Sequence, residues 1–314
     1  PCEGGQWGDA RWWDVRGQRY KMYKKEEAQE CLRGKRIAIV GDSYMVGFFS
    51  GLVDVLHGEE TDVSRFKDSA DGYNVERTFQ ERVDSLDCCT VKSHYGKWGP
   101  SAITTVHMKL VEGSNSTSQG KMDRALDWWR SADLVVMNAL MHDIKEGGFI
   151  ETRGGESGLS DAEVQVRYLE KLDAVAARMA SEPINFLWAT GPSHDVSKVY
   201  KQYKKFQNDH RLLRYNTASV EVMKRHNLPF LDIFHLTRTC TRLECFDGHK
   251  DQSKRGLDGH HRSRFVNRMK AQMMLNYFCP TAAEAGAERQ APAAPKPKPD
   301  LALFHEFKKD AFRT

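Results

Sequence analysis

The sequence lacks any apolar run approaching the roughly 20 residues that cross a bilayer, so no stretch of it reads as a membrane-spanning helix. It also lacks charge of one dominant sign. Forty-seven Lys and Arg stand against 43 Asp and Glu, a formal net charge of +4, too mild to argue for a nucleic-acid partner. No cysteines have the paired C-x-x-C spacing of a structural zinc site. His94, His142, His194 and His210 are scattered, without the helical spacing that gathers metal ligands on one face. No metal site is therefore expected. No internal repeat is visible, which excludes a solenoid.

What is present is an ordinary globular composition, 40% hydrophobic and 29% charged over 314 residues, enough for one substantial core or two small ones. The seven cysteines are Cys2, Cys31, Cys88, Cys89, Cys240, Cys245 and Cys279. Cys2 and Cys31 precede the first core strand and Cys279 closes the last helix, a placement suited to disulfides that staple the chain ends. Proximity in sequence predicts Cys2 with Cys31 and Cys240 with Cys245, and leaves Cys279 for Cys88 or Cys89. Asn115-Ser116-Thr117 is a glycosylation sequon in a polar loop. Cysteines and sequon together point to the secretory pathway, Golgi lumen or extracellular, and the opening Pro1 is compatible with an upstream leader or anchor.

Five apolar runs read as buried strands: Arg36 to Val40, Thr90 to His94, Leu134 to Asn138, Ile184 to Ala189 and Phe230 to Phe234. Helical patterns lie between them, at Tyr44 to Leu56, Met122 to Trp129, Leu212 to His226 and Ser263 to Phe278. A further helix runs to about Met179 behind the cap-like Ser160-Asp161-Ala162-Glu163. This alternation predicts a three-layer α/β/α fold, a flavodoxin-like, doubly wound, five-stranded parallel sheet. Residues 1–35, rich in Trp, Tyr and charge, are expected to cap the sheet-bearing domain, residues 36–280. Residues 281–300 read as an Ala/Pro/Lys-rich linker and 301–314 as a short tail.

In such sheets ligands bind beyond the carboxyl ends of the strands, which is where the chemistry-bearing residues fall. Ser43 follows Gly41-Asp42 directly after the first strand. A serine hydroxyl becomes a nucleophile when a base takes its proton, and a helix N-terminus beside it favours a developing oxyanion. The triplet differs from the G-x-S-x-G elbow, and Ser43 or Asp42 could instead simply cap the helix. Asp258 and His261, three apart around Gly259, could supply orienter and base; His260 and, less well placed, His249 compete. Asn138 ends a strand and could donate to an oxyanion or make a turn. His142 and Asp143 after it read as structural.

Taken in order, Gly41-Asp42-Ser43, Asn138 and Asp258-x-x-His261 resemble the signature of the SGNH/GDSL hydrolase superfamily. Within it, Arg33 to Ser43, Asp133 to Asp143 and Asp258 to Asn267 are similar to three blocks of the PC-esterase group, which includes trichome-birefringence-like wall acetyltransferases and capsule O-acetylation proteins. The resemblance covers roughly residues 30–280 at three anchor points. It implies Ser43 as nucleophile, His261 as base and Asp258 as third triad member. It also implies an oxyanion hole from the Ser43 N–H, the Asn138 side chain and a loop glycine, here Gly96, with Gly99 and Gly72 as alternatives. The related Asn block often has Gly where this chain has Leu140.

The expected function is O-acyl transfer, acetyl above all, to a carbohydrate hydroxyl through an acyl-Ser43 intermediate. The alternatives are acetylester hydrolysis by the same triad and a catalytically silent glycan-binding protein on the same fold. No bound cofactor is expected; the acyl donor, acetyl-CoA or an acetyl ester, is a co-substrate. The expected partner is a glycan or polysaccharide. Basic clusters at 198–205 and 250–270 suggest an acidic one, and Trp98, Trp128, Trp129 and Trp188 are candidate platforms for sugar rings.

Overall fold

Ile37 to Val40 alternate between two environments, and that alternation organises the molecule. In the computed structural model, which describes residues 12–15, 18–59, 80–93, 106–107, 127–144, 160–194, 208–238 and 264–279, this run is strand β3 (Arg36–Val40). Ile37 and Ile39 face one buried cluster and Ala38 and Val40 face another, as the period of two requires. Two short strands precede it, β1 (Trp12–Val15) and β2 (Gln18–Lys21), paired as an antiparallel hairpin, and then helix α1 (Lys25–Cys31). After β3 come α2 (Ser43–His57), β4 (Thr90–Ser93), β5 (Leu134–Met137), α3 (Asp161–Ser181), β6 (Phe186–Ala189) and α4 (Asp209–Arg225). The last elements are β7 (Phe230–Leu231), α5 (Ile233–Arg238) and α6 (Arg264–Phe278).

Strands β4-β3-β5-β6-β7 form a five-stranded sheet in that order, every pair parallel. The doubly wound parallel sheet read from the sequence is the observed one. Tyr168, Leu172 and Val175 of α3 and Leu212, Tyr215 and Val222 of α4 bury against one face. Phe48, Phe49 and Leu52 of α2, Ala28 of α1 and Met269 and Met273 of α6 bury against the other.

Helices α2 and α6 touch without intervening side chains at one point. A Cβ on Gly51 would lie 2.1 Å from the Asn267 carbonyl oxygen, and one on Gly47 2.9 Å from the Asn267 amide. An ion pair closes the same interface: Arg264 Nη2 donates to the fully buried Asp54 Oδ2 at 2.5 Å. The other side of α6 meets the N-terminal segment. Gln272 and Asn276, one turn apart, each accept a backbone N–H and return a side-chain N–H, to Tyr23 and Lys21 respectively. The two amides thereby act as a strand edge for that segment.

Some expectations are corrected. The run Phe230 to Phe234 is not one strand. It stops at Leu231 because Asp232 turns the chain, accepting the His235 N–H at 3.1 Å, and α5 begins. Cys31 is bonded to Cys279, not to Cys2, and Cys279 is accordingly not paired with Cys88 or Cys89, which are free. The docking of the N-terminal segment on α6 brings α1 to the end of the last helix, a long-range contact of the fold. Cys2, Cys240, Cys245, the linker and the tail lie outside the described residues.

Candidate active site

Strand β3 ends at Val40, and the chain passes through Gly41 and Asp42 into α2, whose first residue is Ser43. The turn requires glycine. Gly41 has φ +152°, and a Cβ there would stand 2.3 Å from the Asn138 carbonyl oxygen and 2.5 Å from Met45 Cγ. Asp42 is the N-cap: its fully buried carboxylate accepts the Tyr44 N–H at 2.9 Å and the Met141 N–H at 3.2 Å. The capping role that the sequence left open between two residues thus falls to Asp42. Ser43 stands partly buried in the first turn, where an N–H has no acceptor within the helix and the helix dipole favours negative charge.

Asn138 follows β5. Because β5 pairs with β3 in the register Val40↔Met137, Asn138 and the Ser43 turn emerge side by side at the carboxyl edge. The Asn138 backbone N–H donates to the Val40 carbonyl at 3.0 Å. Its side-chain Nδ2 donates to the Ala189 carbonyl at 2.6 Å, which fixes the facing of the amide and leaves it a second N–H. Oδ1 is buried without a hydrogen-bond partner. Leu140 is buried with its Cδ2 2.6 Å from where a Cβ on Gly191 would be, so Gly191 makes the room that Leu140 takes.

Two further pairs stand at this edge that the sequence reading did not single out. His194 follows β6 and its Nε2 lies 2.5 Å from Tyr44 Oη, both residues buried; Tyr44 Oη also donates to Met141 Sδ at 3.1 Å. Asp209, in the first turn of α4, accepts the His194 N–H at 2.8 Å. Nothing in the local sequence marks the pairing of Tyr44 with His194, 150 positions apart. Asp232 and His235, after β7, do repeat the D-x-x-H spacing of Asp258 and His261, and Asp232 Oδ2 lies 2.6 Å from His235 Nδ1. Three strand spacings, about 14 Å, separate β7 from β3. Behind the edge, burial and the Asp143 carboxylate push the Tyr168 hydroxyl well above its ordinary value, so it remains protonated against Ser219.

Asp258, His261, Gly96 and Asn115 lie outside the described residues, with Gly72, Gly99, His249, His260 and Trp98. Three of the proposed sugar platforms are otherwise employed. Trp129 and Trp188 are core residues, 0% and 1% exposed. Trp128 has Arg36 at 5.1 Å and Lys92 at 5.3 Å over its ring. Two members of the supposed basic rim are not on a rim: Arg264 pairs with Asp54, and Lys270 is 2% exposed and donates to Asn267 Oδ1 at 2.8 Å. Among the described residues no group of three or more His, Cys, Asp or Glu could hold a metal ion, and no helix is long and apolar enough to cross a membrane.

No protein-family model and no curated protein matches the chain. Solved structures of similar outline include an acylhydrolase from Bacteroides fragilis, at 12% identity and TM-score 0.42, covering 81% of this chain and 93% of that one. A catalytic variant of the acetylxylan esterase Axe2 from Geobacillus stearothermophilus has 12% identity and TM-score 0.44, covering 80% and 96%. A lipase/acylhydrolase from Enterococcus faecalis has 14% identity and TM-score 0.42, covering 78% and 94%.

Proposed function

We propose that this chain is a serine-dependent O-acyl transfer enzyme that acetylates a carbohydrate hydroxyl through an acyl-Ser43 intermediate. The observation that carries the reading is the placement of Ser43. It opens α2 directly after β3, in a turn that only glycine at position 41 permits, with Asn138 beside it. Since Asp42 is the cap, the serine is not needed to begin the helix.

In this reading Ser43 Oγ attacks the donor carbonyl while His261, oriented by Asp258, takes its proton. The tetrahedral oxyanion is held by the Ser43 and Gly96 N–H groups and the second Nδ2–H of Asn138. Collapse expels the donor's alcohol or thiol, which leaves with the proton from His261. A sugar hydroxyl then gives its proton to His261 and attacks the acyl-Ser43 carbonyl, releasing the acylated glycan and the serine. Water in place of the sugar makes the same machinery an esterase. The donor, acetyl-CoA or an acetyl ester, is consumed, and no resident cofactor enters these steps. The Cys31–Cys279 disulfide supports a secretory location, Golgi lumen or extracellular.

The test is labelling by a fluorophosphonate probe of the wild-type chain and Ser43→Ala, each shown to be folded by circular dichroism. Wild type should label and the variant should not. Equal labelling would remove Ser43 as nucleophile and favour a glycan-binding role. Product analysis with an acetyl donor and a polysaccharide acceptor then separates acetylated glycan from free acetate.

A further inference from the structure

We propose that Cys88 and Cys89 form an oxidation site at the amino edge of the sheet, a vicinal dithiol that a small-molecule disulfide such as oxidised glutathione closes into a disulfide ring. The two sulfurs lie 2.8 Å apart, and both are free thiols in a chain whose Cys31 and Cys279 are bonded. The backbone around them is pinned on both sides. The Cys88 carbonyl accepts the Gly34 N–H at 2.6 Å, and the Thr90 N–H donates to the Lys35 carbonyl at 2.9 Å. These bonds hold the segment that carries the two thiols against the Gly34–Lys35 turn. Cys88 is buried and Cys89 is partly exposed, so Cys89 is the sulfur that a dissolved disulfide reaches first. Strand β3, about 16 Å long, separates this edge from Ser43. The site thus has its own chemistry, independent of acyl transfer.

The step balances as two exchanges. The Cys89 thiolate attacks one sulfur of the donor, forming a mixed disulfide and expelling one glutathione thiolate. Cys88, losing its proton, attacks Cys89 Sγ and expels the second. The protein dithiol is oxidised by two electrons and the donor is reduced to two thiols, which take up the two protons. Burial, and then the hydrogen bond with Cys88, hold the Cys89 thiol above its ordinary value, so closure quickens as pH rises. Consecutive Cα atoms stand about 3.8 Å apart, short of the usual disulfide span of roughly 4.4–6.8 Å. The Cys31–Cys279 span of 5.9 Å lies within it. The vicinal ring is consequently the more easily reduced of the two.

The test equilibrates the folded full chain with oxidised glutathione, alkylates the remaining thiols, digests without reduction and reads the peptide holding Cys88 and Cys89 by mass. The expected result is a peptide two hydrogens lighter, with neither cysteine alkylated. Graded addition of dithiothreitol should then open it before Cys31–Cys279. In Cys88→Ser the reaction should stop at a glutathione adduct on Cys89. The proposal is overturned if wild type keeps both cysteines alkylatable, carries a glutathione adduct without ring closure, or opens its two disulfides together; none of these outcomes depends on the variant folding.

Discussion

The Asp42 carboxylate takes the N–H of Tyr44 through one oxygen and, through the other, that of Met141, 99 residues further along the chain. One buried side chain thereby ties the turn that carries Ser43 to the segment that follows Asn138. Asp42→Asn keeps the volume but turns a donor toward a backbone N–H. It should cost about 2 kcal/mol in chemical denaturation and lower kcat through the displaced turn. A variant as stable and as active as wild type would show that the bridge does not hold the site.

Asn138 holds the Ala189 carbonyl with one N–H, and in the proposed mechanism the other N–H meets the oxyanion. Asn138→Ala is expected to lower kcat by roughly 10²–10³-fold with little change in KM, the size of loss found for a missing oxyanion donor. Steady-state kinetics on an activated acetyl ester decide it; an effect confined to KM would assign Asn138 to ground-state binding instead.

Two D-x-x-H pairs follow β7. His261→Ala should abolish acyl-enzyme formation as fully as Ser43→Ala, a loss of about 10³-fold or more. His235→Ala, about 14 Å of sheet away from β3, should retain activity within a few-fold. Rapid-quench measurement of acetyl release would reverse the assignment if the two outcomes were exchanged.

Gly51 and Gly47 differ in what they face. A methyl group on Gly51 meets the Asn267 backbone at 2.1 Å, whereas one on Gly47 meets the end of the Asn267 side chain at 2.9 Å. Backbone cannot step aside as an amide can, so Gly51→Ala should destabilise by roughly 2–3 kcal/mol. Gly47→Ala should fall within about 1 kcal/mol of wild type, helped by alanine's helix preference. Thermal melts of equal loss would mean that α6 shifts as a body for both.

Asp133 joins the start of β3 to the start of β5, accepting the Arg36 N–H at 2.9 Å and the Lys35 ammonium at 3.1 Å. Burial alone would raise its carboxyl, but those two partners outweigh burial and hold it below the ordinary value. A depressed folded-state value contributes stability that is present above the unfolded value, about 4, and is lost as pH falls through the folded one. Asp133→Asn should therefore be about 1 kcal/mol less stable near neutrality, with the gap closing below about pH 4. Urea titrations across that range check it; a gap that widened in acid would refute the sign.

The sheet was legible because β3, β5 and β6 are near-continuous apolar runs, the pattern of strands buried on both faces. The start of α3 was legible because Ser160 and Glu163 form a reciprocal capping box, and a cap is a local event. Ser43 and Asn138 fell at strand ends because a strand's end is written where its apolar run stops. The disulfide partner of Cys31 was not legible. Its choice depends on α6 folding back onto the N-terminal segment through Gln272 and Asn276, which no spacing encodes. Nor was the fate of the tryptophans: Trp188 sits inside a strand that reads as buried, yet sugar stacking and core packing call for the same side chain. The D-x-x-H of Asp232 was readable, but nothing local distinguishes it from that of Asp258, since both follow β7.

The Cys31–Cys279 bond closes a covalent ring spanning 248 positions. All five strands of the parallel sheet lie within it. A protease that cuts any single peptide bond between those cysteines therefore opens the ring without releasing a fragment. The nicked protein would run as one species on a non-reducing gel and as two pieces only after reduction.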